Sequence, residues 1–165
     1  MHIPFDLEFV RPSTVDDAAR LAATIRSADR DEIRANSGKL PIDALVAGIQ
    51  WSDPCLSVVY HNDVLAMFGV VPTGTEKVGA VWMLASNLLE PNRLPRRAAI
   101  RFLRRSIPWV DWLNEQWPLL WNVVDARNTL HIQWLEWSGF KLLRTVEQYG
   151  FERRPFIEFS RSHHV

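Results

Sequence analysis

The sequence predicts a single α+β domain over residues 1–165, and three observations predict it. The stretch Leu120–Phe140 passes from an apolar run to apolar side chains at helical spacing, Leu130, Ile132, Trp134, Leu135 and Trp137, with Gly139 just past the end: a strand, a turn at Asp125–Asn128 and a short helix. Cys55–Tyr60, Val64–Val71 and Ala80–Ala85 are apolar, β-branched runs joined by turns, the pattern of an antiparallel meander. Helical stretches precede and follow that meander, and no low-complexity linker or internal repeat divides the chain.

The elements follow in order. Leu7–Val10 is a short strand; Val15, Ala18, Ala19, Leu21, Ala22 and Ile25 then repeat at helical spacing, with Asp16 and Asp17 in the first turn where the helix dipole favours them. Asp29–Ala35 is a second short helix, and Ile42–Trp51 a third, begun after Pro41 and stopped before Pro54. His61-Asn62-Asp63 splits two strands as a hairpin turn, because Asn and Asp tolerate positive φ. Asn87–Pro95 reads as irregular. Arg96–Ile107 is helical, and Pro108–Trp117 continues as a second helical piece kinked at Pro108. Leu119–Val124 is the next strand, Thr129–Ser138 the next helix, and Lys141–Gln148 with Pro155–Phe159 close the domain as a hairpin around Gly150–Arg154.

Composition bounds the function. A chain of 165 residues buries a sizeable core without disulfides or metal staples. Formal charge is zero, with 19 basic and 19 acidic residues, so bulk electrostatics recruit no particular partner. Cys55 stands alone, which fits a reducing compartment. The start, Met-His-Ile-Pro-Phe-Asp-Leu-Glu, has neither a basic nor an apolar targeting region, and no run nears 18 apolar residues, so the expectation is an intracellular protein with no membrane span. Eight Trp is a high count, and rings filling the space between sheet and helices account for it.

Few residues carry chemistry. Six Arg lie between Glu90 and Asp111 with no acid among them, and Arg97, Arg101, Arg104 and Arg105 share one helix face, as a solvated surface, a protein-partner surface or a phosphate contact. Nucleic acid is not expected, because neither a basic excess nor an aromatic RNA-binding motif accompanies the patch. Asn128 is placed as the N-cap of its helix, its side chain accepting from the N–H of Leu130 or His131. His131, in the first turn, is either a structural His or a neutral base. His2, His61, His163 and His164 have no metal-ligand spacing, and no nucleophile-elbow, Cys-His or paired-carboxylate motif appears.

The Arg11-Pro12-x-Thr14-x-x-Asp17-Ala18 opening and the unit containing Asn128, Glu136, Gly139 and Phe140 resemble the GCN5-related N-acetyltransferases. Val81-Trp82-Met83-Leu84-Ala85-Ser86, then Leu120-x-Asn122-x-Val124 and Asn128-Thr129-x-His131-Ile132-x-Trp134-Leu135, are similar to a bacteriophage branch of that superfamily. That branch includes small podovirus proteins called internal virion protein or assembly factor, and others labelled only as phage acetyltransferases. The resemblance implies an acyl-CoA N-acyltransferase fold, a mixed central sheet flanked by helices. It also implies a phage protein in the host cytoplasm during infection, with the virion as a second location.

Two functions then follow as expectations. One is a non-catalytic or weakly catalytic accessory factor in virion assembly or the virion interior, meeting phage structural or assembly proteins through Arg101, Arg104 and Arg105. The other is an acetyl-CoA-dependent N-acetyltransferase acting on an amine, and the resemblance implies its parts. Backbone N–H groups at Met83, Leu84 and Ala85 would hold the thioester carbonyl, Arg93, Arg96 and Arg97 the pyrophosphate, Asn128 the pantetheine or thiol side, and His131 or water the protons. Two departures favour the first. Leu135 stands where many family members carry the Tyr that returns a proton to the thiolate, and residues 90–99 contain no Gly where the family builds its phosphate cradle. No cofactor is therefore firmly expected, acetyl-CoA being possible, and no metal.

Overall fold

A computed structural model describes residues 9–163. The elements are β1 (Val10–Pro12), α1 (Val15–Thr24), α2 (Ser27–Ser37), α3 (Pro41–Trp51), β2 (Cys55–Tyr60), β3 (Asp63–Pro72), β4 (Val78–Ala85), a 3₁₀ turn at Asn87–Leu89, α4 (Arg96–Gln116), β5 (Leu119–Asp125), α5 (Thr129–Trp137), β6 (Lys141–Tyr149) and β7 (Arg154–Ser162). The expected α+β order is observed, with bounds shifted by a few residues. Of the first expected strand only Val10 falls in β1, while Leu7 lies outside the described residues.

The seven strands form one sheet in the order β1-β2-β3-β4-β5-β7-β6. Every neighbouring pair is antiparallel except β4 and β5, which run parallel. Helices cover both faces. Phe68, Val70, Leu120 and Val124 pack with Phe102, Trp109 and Leu113 of α4 on one face, while Val64 and Met67 meet Ala18, Leu21 and Leu45 of α1 and α3 on the other. β3 is therefore apolar along nearly its whole length, as a strand covered on both faces must be. Trp109 stacks on Phe68 with centroids 5.6 Å apart and meets Phe102 edge-on at 5.7 Å, so it fills the core as expected. Trp51 and Trp137 do not, being exposed.

Three local features correct the sequence expectations. The positive φ in the β2–β3 turn belongs to His61, at 53°, with Asp63 already paired in β3. Pro108 does not divide α4: Phe102, Ser106, Trp109, Val110 and Leu113 are buried on both sides of it, so continuous packing offsets one missing N–H. Asn87–Leu89, expected to be irregular, is a single 3₁₀ turn capped by Ser86 Oγ. The close of α5 follows its sequence. Gly139 has φ 89°, its N–H donates to Glu136 O and that of Phe140 to Leu135 O, a Schellman ending that only a residue free in the left-handed region closes cheaply.

Candidate functional site in the strand split

β4 and β5 pair only at Val78↔Leu119, Gly79↔Leu120 and Ala80↔Trp121, and beyond these they diverge. Backbone groups along a strand alternate in direction. The Ser86 N–H turns toward β3, donating to Leu65 O, so the backbone groups of Val81, Met83 and Ala85 face the split. Asn122 Nδ2 bridges its narrow end to Val81 O at 2.9 Å. At its wide end the Ala85 N–H donates to Asp29 Oδ2 at 2.8 Å, and Ala85 O accepts from the Arg26 N–H at 2.9 Å. Met83 lies between them.

Asp29 belongs to a buried network that joins α2 to α5. Arg26 donates from Nη1 to Asp29 Oδ1 at 3.2 Å and from Nη2 to Asn128 Oδ1 at 3.1 Å. Asn128 Nδ2 donates to Asp29 Oδ1 at 2.9 Å and to Glu32 Oε2 at 3.0 Å, and Glu32 Oε2 also accepts from the Asp125 N–H at 3.0 Å. Asn128, 1% exposed, therefore does not cap α5 with its side chain. Its backbone, at φ −81° and ψ 63°, leaves the extended conformation of a side-chain cap, and the amide is taken up by Arg26, Asp29 and Glu32.

The network sets its own electrostatics. Glu32 is partly exposed as a residue, yet its carboxyl is enclosed, and burial together with the Asp29 and Asp125 carboxylates pushes its pKa up to about 8 against the opposing hydrogen bonds of Asn128 and the Asp125 N–H. Burial would also raise Asp125, but the Arg127 side chain on both its oxygens, at 2.7–3.2 Å, holds it below its ordinary value. His131, 8% exposed, is pushed down by burial and by Arg26, with Asp29 opposing. It is therefore neutral at pH 7.

Two cavities of about 380 Å³ each adjoin the split, the first lined both from α2 and α3 and from Ser106, Trp109 and Leu113 of α4, the second lying between α4 and α5. Glu32, Asn36, Gly48, Trp51 and Asn122 are among the lining of the first, while Leu88, Leu94, Phe102, Leu103 and Trp137 are among that of the second. Met83, His131 and Trp134 line both and form the wall between them. The structure thus brings Met83, His131 and Asn128 to the split. Leu84 lines the first cavity, and Ala85 lines the second with its N–H already engaged. Leu135, 2% exposed, is part of the main apolar core.

The arginines lie elsewhere. Arg93, Arg96 and Arg97 line neither cavity, and Arg93 sits 3.9 Å from Glu90. α4 starts after Pro95 with no side-chain cap, and the N–H groups of Ala98 and Ala99 both go back to Pro95 O. Of the outer face, Arg101 holds its guanidinium 5.0 Å above the Phe9 ring, Arg104 is exposed and Arg105 is partly exposed. Among the described residues, no group of His, Cys, Asp and Glu is placed to hold a metal ion. No described helix is long and apolar enough to cross a membrane.

Sequence reasoning missed Arg26, Asp29 and Glu32. The available signal was α2 itself, whose one large apolar residue is Ile33, although a helix so polar needs polar partners to be covered at all.

Residues 58–144, just over half of the chain, match the protein family described as "Bacteriophage T7, probable scaffold protein Gp13". No curated protein matches the chain by sequence. Solved acetyltransferases share its fold. The ribosomal-protein-alanine N-acetyltransferase of Brucella melitensis superposes with a TM-score of 0.64 at 14% identity, over 93% of this chain and 99% of that one. The ribosomal-protein-S5-alanine acetyltransferase of Vibrio fischeri gives 0.65 at 15% identity, over 98% and 97%. The phosphinothricin acetyltransferase of Sinorhizobium meliloti, solved with AcCoA, gives 0.65 at 12% identity, over 93% and 86%. At such identities the likeness shows the acyltransferase fold, as the sequence resemblance implied.

Proposed function

Because the chain belongs to the family of the probable scaffold protein Gp13 of bacteriophage T7, we propose that it is a non-catalytic accessory protein of virion assembly or the virion interior, built on an acetyltransferase fold. It acts in the infected host cytoplasm and travels with the particle, meeting other phage proteins through the arginine face of α4. The observation that carries this reading is the 2.8 Å hydrogen bond from the Ala85 N–H to Asp29 Oδ2. A β4 amide in the split is where a thioester carbonyl would be received, and here a carboxylate of the chain itself has taken it.

Other residues support the same reading. Residues 90–99 contain no Gly, and Pro91 and Pro95 offer no N–H to a pyrophosphate. Leu135 supplies no proton to a departing thiolate. A second reading, an active N-acetyltransferase, rests on His131, which lines both cavities and is neutral at pH 7, with the Met83 N–H beside it facing the split. Calorimetric titration with acetyl-CoA separates the two. The accessory reading expects no saturable binding tighter than ~100 μM, less favourable than about −5.5 kcal/mol. Saturable binding in the low micromolar range, with turnover abolished by His131→Ala, would replace it with the second.

A further inference from the structure

We infer that the groove between α4 and α5 is a docking site for an acidic amphipathic helix of a partner protein. The inference rests on the accessory reading and names the chemistry of the partner. The groove is the second cavity, about 380 Å³, with Leu88, Leu94, Phe102 and Trp134 in its lining. Within its lining Leu103 is 42% exposed and Trp137 49%, beside the polar Glu90, Asn92 and Gln133, and Ile100, 36% exposed, lies one turn before Leu103 on α4, so three of the eight exposed large apolar side chains of the described residues lie at or next to this groove. Ile100, Leu103 and Ile107 follow at i, i+3 and i+7 and make an apolar stripe about 10 Å long at ~1.5 Å per residue. An exposed apolar stripe beside a cavity marks an interaction surface.

Charge identifies what covers it. Six of the 19 basic residues lie within residues 91–110, where no acidic residue occurs, so the rest of the chain carries 13 basic against 19 acidic residues. Arg97 and Arg104 stand one step round α4 from the apolar stripe, and among the described residues neither takes part in an ion pair. An apolar row with a parallel cationic row, each about two turns long, is complementary to a helix carrying apolar anchors at i, i+3, i+4 and i+7 and carboxylates along one flank. Coenzyme A would reach the start of α4 but not Arg104, eight residues on. Nucleic acid would match the arginines and leave the apolar stripe uncovered.

The test uses a fluorescein-labelled helical peptide of about 18 residues (five turns), with Leu at those anchor positions and Glu on the flanks, and a counterpart with Lys for Glu. Anisotropy titrations of the full chain should give saturable binding of the acidic peptide, and binding of the Lys counterpart at least ~10-fold weaker. Leu103→Asp and Arg104→Glu, both at exposed positions and checked for an unchanged melting curve, should each weaken the acidic peptide by about tenfold. Equal binding of both peptides, no saturable binding below ~1 mM, or wild-type affinity in Leu103→Asp would overturn the proposal. Displacement of the peptide by micromolar acetyl-CoA would overturn it too, as a cofactor groove, and would count against the accessory reading. Loss of peptide binding with no acetyl-CoA binding removes the groove alone.

Discussion

On the α2 side of the β4–β5 split, Arg26, Asp29, Glu32 and Asn128 donate to and accept from one another within a buried network and cover the Ala85 N–H. On the α4 side, mostly apolar residues surround a groove at which Leu103 and Trp137 stay exposed, with Arg97 and Arg104 nearby on α4. Both flanks belong to one acyltransferase fold. In the first the chain's own polar groups occupy the Ala85 N–H beside a cavity lined by Glu32, and in the second the groove wall is mostly apolar. The difference teaches that a shared fold carries over the split while each flank is free to be filled or kept open, so the site must be argued from its residues.

The largest expected effect lies on the closed flank. Asp29→Ala leaves the Arg26 guanidinium buried without a carboxylate and the Ala85 N–H without an acceptor, which should cost about 3–5 kcal/mol of unfolding free energy. Thermal denaturation should fall by about 2–4 °C for each kcal/mol. Leu103→Ser on the open flank should stay within about 0.5 kcal/mol of wild type. Similar melting of the two variants would show the flanks to be energetically alike and dissolve the comparison.

Asn128 sharpens it. A side-chain cap would accept Asp as readily as Asn and lose about 1 kcal/mol on Asn128→Ala. In the observed network Asn128→Ala should cost about 1–3 kcal/mol, because Asp29, Glu32 and Arg26 each lose a buried partner. Asn128→Asp should be at least as damaging, since it removes both Nδ2 donations and sets a third carboxylate beside two. Urea unfolding of the three proteins ranks them, and an Asp variant as stable as wild type would return Asn128 to a capping role.

How far the sequence led can be judged from the same residues. The strand, turn and helix at 119–137 and the meander at 55–85 were legible because each is written in local periodicity and turn chemistry. Asn128 was singled out but given the wrong hydrogen-bond partners, because its bonds to Arg26, Asp29 and Glu32 span 102, 99 and 96 residues of sequence, and no spacing rule reaches that far. His61 in the left-handed region and the unbroken α4 across Pro108 were missed for a related reason. In each, tertiary packing overrode a local preference.

A smaller effect concerns pH. Glu32 has its folded-state pKa raised from 4.5 to about 8, so the folded protein holds a proton that the unfolded chain has released, and stability should decline as pH rises from about 4.5 toward about 8. His131 acts the opposite way, its depressed pKa contributing stability above 6.5 that is lost as pH falls below that value. Asp17 and Asp125, both lowered, contribute stability that is lost as pH falls below their ordinary 3.8. Between pH 6.5 and 8, then, Glu32 acts with little interference. Urea unfolding should show wild type losing on the order of 1 kcal/mol across that interval and Glu32→Gln staying flat. A wild type that gains stability there would mean that Glu32 is ionised in the folded protein.

The claim that the chain's own carboxylate occupies the Ala85 amide of the split is tested most directly by amide hydrogen exchange at Ala85, read by NMR. The bond to Asp29 Oδ2 inside the buried network predicts an Ala85 N–H protected like the core strands, unchanged by acetyl-CoA, and released in Asp29→Ala. An Ala85 amide that exchanges as fast as those of exposed loops, or whose signal moves on addition of micromolar acetyl-CoA, would contradict it.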